Sequence, residues 1–242
     1  MSPSDIKMNV LGVIPARGGS KGIPRKNLYN LCGKPLIVYT IKAAIKASAL
    51  TQFIVSTDSD EIAETAKEYG ANVPFRRPSE LATDSSLAAD VMKHAIIEME
   101  KLDGIIYDTL VMLQPTTPLR TPEDIDNAVQ KLHSTGCDTV ITMKDVGATH
   151  PARMYKIVND KLVSIMDEGT ALRPRQELLP IYIRSGDVYA CRRSVIFDQG
   201  SLIGKDCRPI IIPSKRAVNI DSMDDVILAE NYLKNFEYYW SS

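Results

Sequence analysis

Short apolar runs alternate with helix-length stretches of mixed polarity along most of the chain. "NVLGVIPA" (9–16) has almost no polar position, as expected of a strand buried on both faces, and "PLIVYTIKAAIKASAL" (35–50) repeats at helical spacing behind Pro35, whose missing N–H costs nothing at a helix start. "QFIVSTD" (52–58) predicts a second strand. "SDEIAETAKEYG" (59–70) predicts a helix, with Asp58 three before Glu61 in capping-box fashion and Gly70 placed to end it. "SSLAADVMKHAIIEMEK" (85–101) reads as a long helix and "DTLVMLQP" (108–115) as a strand stopped by Pro115. In "TPEDIDNAVQKLHSTG" (121–136), Thr121 is the expected N-cap, Pro122 opens the helix, and acids fill the first turn, where the dipole favours them. "DTVITMK" (138–144) is the next strand. Strands alternating with helices of this length predict a three-layer α/β fold with a mostly parallel, Rossmann-like sheet.

The pattern changes after about Val146. "YKIVNDKLVSI" (155–165) predicts a hairpin turning at Asn159 and Asp160, followed by the Pro/Arg-rich "LRPRQELLPIYIRSG" (172–186). Residues 147–186 therefore read as an excursion from a single domain that spans 1–242. "DVYACRR" and "RPIIIP" return as strands, and "MDDVILAENYLKNF" is a closing helix.

A formal net charge of −1 and a pI near 6.3 exclude the global field that draws proteins onto nucleic acid or anionic membranes, and there is no basic–aromatic stripe. Any anion binding must be local. Cys32, Cys137, Cys191 and Cys207 are scattered without a CxxC pair, so they form neither a zinc site nor a disulfide framework and read as free thiols. "MSPSDIKMNV" has no apolar leader and no run of about 18 apolar residues occurs anywhere. A cytoplasmic protein without membrane contact is the expectation.

Local anion binding has one strong candidate. "VIPARGGSKGIPRKN" (13–27) sets Arg17, Lys21, Arg25 and Lys26 in a Gly/Pro-broken loop directly after the first strand. A glycine-rich turn at that edge of an open α/β sheet lets backbone N–H groups and cations converge on phosphate. The loop is not G-x-x-x-x-G-K-[ST], because Ile23 stands at the second glycine position, and it contains no G-x-G-x-x-G. Lysine and arginine there suit a triphosphate whose charge shifts during transfer. Arg25 reads as an ordinary surface residue.

"IPARGGSKGIPRKNL" resembles the signature of the acylneuraminate cytidylyltransferase family, which makes CMP-sialic acid and related CMP-nonulosonic acids from CTP. "STDSDEIAETAKEYGA", "RRPSELATDSS", "LQPTTPLR", "RQELLPIYIRSGDVY" and "NIDSMDDVILAE" follow in the family's order, so the resemblance covers roughly residues 8–234. It implies a nucleotidyltransferase in which the anomeric hydroxyl of an acid sugar attacks the α-phosphate of CTP and pyrophosphate leaves. By the same resemblance, Arg17 and Lys21 carry catalysis and contact phosphate, and Lys26 is a further phosphate ligand. Asn27 and the backbone near Ala16 read cytosine; Arg76 or Arg77, with Ser85 or Ser86, closes over the nucleotide. The sugar falls to Gln114, Thr116, Arg153, Arg175, Gln176, Ser185 and Tyr189, with Arg120 fixing a loop. The excursion would dimerise and complete the partner's site.

A hard divalent cation, Mg²⁺ or a similar ion, wants carboxylate oxygens beside the phosphates. Asp221, expected just after a strand "AVNI", is the first choice and Asn219 the second; Asp224 and Asp225 read as first-turn acids of the last helix. The chain departs from the family twice. Many sialic acid members read Asp-Ile-Asp where this chain has Asn219-Ile220-Asp221, and they commonly carry Asn where it has Ser185. The second departure changes the contacts around the sugar's acylamino group and points to legionaminic or another diamino nonulosonic acid. Alternatives are a cytidylyltransferase for the eight-carbon acid sugar Kdo, against which stands the lack of an acidic ligand near "LQPTTP", and a catalytically silent nucleotide-binding module. His94, His133 and His150 have no site reading.

Overall fold

The computed structural model describes residues 8–166 and 174–235, except the side chain of Arg175. In chain order the elements are β1 (Val10–Pro15), β2 (Asn30–Leu31), β3 (Lys34–Pro35), α1 (Leu36–Lys46), β4 (Gln52–Ser56), α2 (Asp60–Glu68), α3 (Ala88–Asp103), β5 (Thr109–Met112), α4 (Pro122–Thr135), β6 (Thr139–Asp145), β7 (Tyr155–Val158), β8 (Lys161–Ser164), β9 (Tyr182–Arg192), α5 (Arg193–Gln199), β10 (Cys207–Ile211) and α6 (Met223–Asn235). Phe236, expected at the end of the last helix, lies outside the described residues.

The main sheet has the order β10-β6-β9-β5-β1-β4. β1 runs parallel to β4 and β5, and β10 to β6, while β9 is antiparallel to both of its neighbours. The expected mostly parallel sheet is present. β1 explains the layering: Val10 and Ile14 enter one core with α1, α2 and α4, whereas Leu11 and Val13 enter another with α3 and α5. Both faces of the strand are buried, hence its unbroken apolar run. A third cluster, containing Ile23, Leu31, Leu36, Leu119, Val218, Ile220 and Val226, packs the basic loop against the start of α6.

α4 begins as its sequence dictates: Thr121 Oγ1 accepts from the Asp124 N–H at 3.4 Å, and Asp124 Oδ2 accepts from the Thr121 N–H at 2.9 Å, a complete capping box. α2 is capped differently from expectation. Ser59 is its N-cap, accepting from the Ile62 N–H, because Asp58 Oδ1 accepts instead from the Gly18 N–H at 2.9 Å. The expected strand "AVNI" (217–220) belongs to no sheet; Ile220 donates its N–H to the Thr116 carbonyl.

The excursion holds the β7–β8 hairpin, whose turn residues Asn159 and Asp160 have φ of 49° and 60°, the left-handed pair that a tight primed turn needs. β9 starts at Tyr182, earlier than "DVYACRR", because Tyr182 to Arg184 pair with the end of β6 beyond a register shift. The sequence boundary at 186 thus falls inside β9. α5 is not legible in the sequence as a separate helix.

Candidate active site

The carboxyl ends of β1 and β5 open onto a cleft of about 300 Å³, lined by Arg17, Gly19, Ser20, Lys26 and Asn27 from the basic loop, by Arg77, Thr83, Asp84 and Ser86, and by Gln114 to Thr116 beyond β5. Such an edge of an α/β sheet is where ligands bind.

Two bonds fold the basic loop back on its strand. Asn27 Nδ2 donates to the Arg17 carbonyl at 2.9 Å, and Gly18 N–H goes to Asp58. Arg25 takes a left-handed φ of 53° to enter a short 3-10 turn, and its guanidinium pairs outward with Glu61, away from the cleft. Ala16 is wholly buried and already donates its N–H to the Ser56 carbonyl, so it contributes a fixed backbone path and no free donor.

At the mouth, Arg17 Nη2 and Lys21 Nζ converge on opposite oxygens of Asp84, at 2.5 and 2.9 Å. The hydrogen bonds from Lys21 and Arg17 hold the Asp84 carboxyl below its usual range. Lys21 is 80% exposed and reaches the mouth only through this pair. Two cations closing on one carboxylate describe a place built for an anion.

Of the two arginines the sequence leaves open in the second loop, Arg77 and not Arg76 turns inward. Arg76 pairs with Asp60 and with the Asp58 carbonyl on the surface. Arg77 is buried, donates to Ser56 Oγ at 3.1 Å and to the Ser56 carbonyl, and lines the cleft. Burial pushes its guanidinium down to about 10, against the pull of Asp58. Neighbouring arginines flanking a β-bridge point to opposite sides, and the bridge Thr57↔Arg76 decides which. Ser86 lines the cleft and, with Thr83, knits the loop; Ser85 bonds Thr83 at 3.1 Å and is not part of the lining.

Beneath the basic loop, Lys26 Nζ donates to Asp221 Oδ1 at 3.0 Å and to the Ile220 carbonyl at 3.1 Å, while Asn219 Nδ2 donates to Asp221 Oδ2 at 2.7 Å. Asn219 Oδ1 is buried without a partner. One carboxylate and one unsatisfied amide oxygen two residues apart fit a hard cation that takes most of its ligands from phosphate and water. Among the described residues no cluster of three or more acidic, His or Cys ligands exists, so a cage of protein ligands is absent. Asp225 is occupied elsewhere, since its Oδ2 accepts from the Asp221 and Ser222 N–H groups and caps α6.

The expected sugar residues divide. Gln114 and Thr116 line the cleft. Ser185, expected to meet the sugar, is buried on β9 with its hydroxyl enclosed and is not part of the cleft lining; it lies next to Gly186, whose missing Cβ would stand 3.0 Å from Gln114 Oε1. Tyr189 lies in the apolar core with α3 and does not reach the cleft, because the bulge before it returns β9 to regular alternation. Arg153 and Gln176 are exposed in the excursion and line no part of the cleft; Arg175 has no described side chain. Sequence reasoning missed Asp84, legible only as one acid inside "ATDSS", and Asp187, the one acid of β9.

The histidines are structural. His94 packs edge-on to Phe75, His133 Nε2 meets Thr109 Oγ1 at 3.0 Å, and His150 caps a 3-10 turn through Ala152 N–H.

Comparison with known proteins bears on this geometry. The family model described as cytidylyltransferase matches residues 11–198. The CMP-N,N'-diacetyllegionaminic acid synthase of Legionella pneumophila is 34% identical over 236 residues, covering 94% of this chain and 97% of that protein. An N-acylneuraminate cytidylyltransferase of Streptococcus agalactiae is 31% identical, covering 91% of this chain and 52% of that longer protein. Among solved structures, CMP:2-keto-3-deoxy-manno-octonic acid synthetase complexed with CTP superposes with a TM-score of 0.69 at 17% identity, over 94% of this chain and 99% of that one, a likeness of fold.

Proposed function

Because the chain belongs to the cytidylyltransferase family, we propose that it transfers CMP from CTP to the anomeric hydroxyl of a nonulosonic acid and releases pyrophosphate. The observation that carries this reading is the convergence of Arg17 and Lys21 on Asp84 at the mouth of a cleft floored by Asn27 and Gln114. In the reaction the sugar oxygen forms a bond to the α-phosphorus as the bond to the bridging oxygen of the β-phosphate breaks. The electron pair leaves with pyrophosphate, and the hydroxyl proton passes from the attacking oxygen to solvent water. Arg17 and Lys21 neutralise the departing charge, Lys26 adds to the field, and Asn27 offers an amide edge to cytosine. Gln114 and Thr116 hold the sugar in line.

Asp221 and Asn219 are the residues that would hold Mg²⁺ or another divalent cation, which when bound supplies further charge neutralisation at phosphate. Among the acid sugars, a diacylamino acid such as legionaminic acid is supported by the similarity to the Legionella pneumophila synthase. The Kdo reading keeps only the likeness of fold, and the silent-module reading has nothing in the cleft to favour it.

A homodimer is part of the same reading. The β7–β8 hairpin presents Ile157 at 76% and Leu162 at 69% exposure. A bare two-stranded hairpin is marginal in water, and an apolar patch of this kind asks for a partner, here a second copy. The reaction belongs in the cytoplasm, where CTP is made. The four cysteines are free, and among the described residues no helix is long and apolar enough to cross a membrane.

The test is pyrophosphate release from CTP and Mg²⁺ with N-acetylneuraminic, legionaminic and pseudaminic acids and Kdo offered separately. Release with a nonulosonic acid and not with Kdo is expected; release with Kdo alone would refute the reading.

A further inference from the structure

Behind Gln114 lies a charged group that the proposed reaction leaves unused. Asp187 is wholly buried in β9, and neither carboxylate oxygen has a hydrogen-bond partner. Its backbone carbonyl, in contrast, accepts from Arg120 Nε at 2.6 Å. Arg120 is itself 1% exposed and places its other N–H groups on Thr40 Oγ1 at 2.9 Å, the Gln114 carbonyl at 2.5 Å and Thr117 Oγ1 at 2.6 Å.

All four of these acceptors are neutral. A buried cation is therefore hydrogen-bonded only to neutral oxygens while its counter-charge acts through space. Two acids act on Arg120 in this way, Asp187 and Asp124. Asp124 is already held by Arg216 in a two-bond pair of 2.6 and 3.0 Å, which leaves Asp187, whose backbone carbonyl holds Arg120 Nε, as the acid near Arg120 without an ion-pair partner.

Asp187 is joined to Gln114 by two routes. Arg120 bridges the backbone carbonyls of both residues. Gly186, at a φ of +88° that only glycine takes without strain, brings β9 against Gln114 Oε1, 3.0 Å from where a Cβ would stand. Ser185 is the one side chain whose effect on the Asp187 carboxyl is that of a hydrogen-bond donor, although the two oxygens fall short of full hydrogen-bond geometry. Burial nonetheless dominates and pushes that carboxyl up to about 6, with Arg120 and then Ser185 pulling it down.

We propose that Asp187 is a positioning residue for the acid sugar, holding the wall formed by Gln114 in place through Arg120 and Ser185 without touching substrate. The inference rests on the reading of Gln114 as a sugar contact. A polar wall behind a binding group must be held rigidly for that group to discriminate between substrates, and here the wall is the end of β5 clamped to the bulge of β9.

Asp187→Asn keeps the shape and removes the charge; Asp187→Glu keeps the charge. In Asp187→Asn, the KM for the acid sugar should rise about tenfold while the KM for CTP stays within about twofold, and Asp187→Glu should recover part of the loss. Hydrogen exchange over residues 113–120 in the same proteins reads the wall directly and should quicken in Asp187→Asn although the melting temperature at neutral pH does not fall. Should the wild type release no pyrophosphate with any acid sugar, the functional reading fails and the exchange measurement still decides the positioning role. Equal loss on both substrates with a lowered melting temperature, or an unchanged KM and unchanged exchange, would overturn it.

Discussion

Gly22 and Asp221 meet so closely that a Cβ on Gly22 would lie 2.5 Å from the Asp221 carbonyl oxygen. The basic loop after β1 and the segment before α6 are thereby one unit, with Lys26 bonded across the same seam and Ile23, Val218 and Ile220 packed beneath it. The basic-loop cations and the candidate metal ligands cannot move independently while this contact holds.

Gly22→Ala should separate the two segments, since the clash is with backbone and not with the end of a flexible side chain. CTP affinity by calorimetry should fall about tenfold, of the order seen when a polar site loses its alignment. An alanine variant with unchanged affinity would show that the seam is irrelevant to nucleotide binding.

Asp84 pairs with both Arg17 and Lys21, so on the proposed function it stands where the phosphates of CTP would bind. Asp84→Asn should therefore bind CTP and pyrophosphate more tightly, by about three- to tenfold at low salt, the gain shrinking as salt screens the exposed charges. Weaker binding in Asp84→Asn would mean that the carboxylate helps to hold the nucleotide instead of standing in its place.

Lys21 is too exposed to matter to folding. Lys21→Ala should lower kcat about a hundredfold, as for loss of one charge-stabilising donor, with the melting temperature unchanged. A variant that unfolds would assign the lysine a structural role.

Asp187 gives the fold a pH dependence of defined sign. Its folded pKa of about 6 lies above the ordinary 3.8, so at intermediate pH the folded chain keeps a proton that the unfolded chain has given up. The stabilisation from this group is full below about pH 4 and is lost as pH rises to about 6, worth at most roughly 3 kcal/mol. Denaturant melts of wild type and Asp187→Asn between pH 4.5 and 7 should diverge in that direction, the wild type losing stability relative to the variant as pH rises. Parallel curves would show that the carboxyl is not perturbed.

The layers of this fold are legible in the sequence because β1, β5 and the amphipathic helices carry their burial in their periodicity. Thr121 announces its helix for the same local reason. The cap of α2 departs from its sequence pattern because Asp58 is claimed by Gly18, a contact between segments that no window of sequence contains. The site divides along the same line. Arg17, Lys26, Asn27, Gln114 and Thr116 follow strand ends and can be placed in the cleft from order alone. The choice of Arg77 over Arg76 depends on the side to which a single bridge turns each residue, and the burial of Tyr189 and Asp187 depends on a register shift in β9. Bulges and bridges are tertiary facts, and periodicity is silent on them.

The central claim is that the cleft joins CMP to an acid sugar. Mass spectrometry of a reaction containing the protein, CTP, Mg²⁺ and N,N'-diacetyllegionaminic acid tests it most directly. The expected result is a CMP-sugar conjugate formed in step with pyrophosphate, abolished when Arg17 and Lys21 are both replaced by alanine. Folded protein that binds CTP yet forms no conjugate with this or any other nonulosonic acid would contradict it.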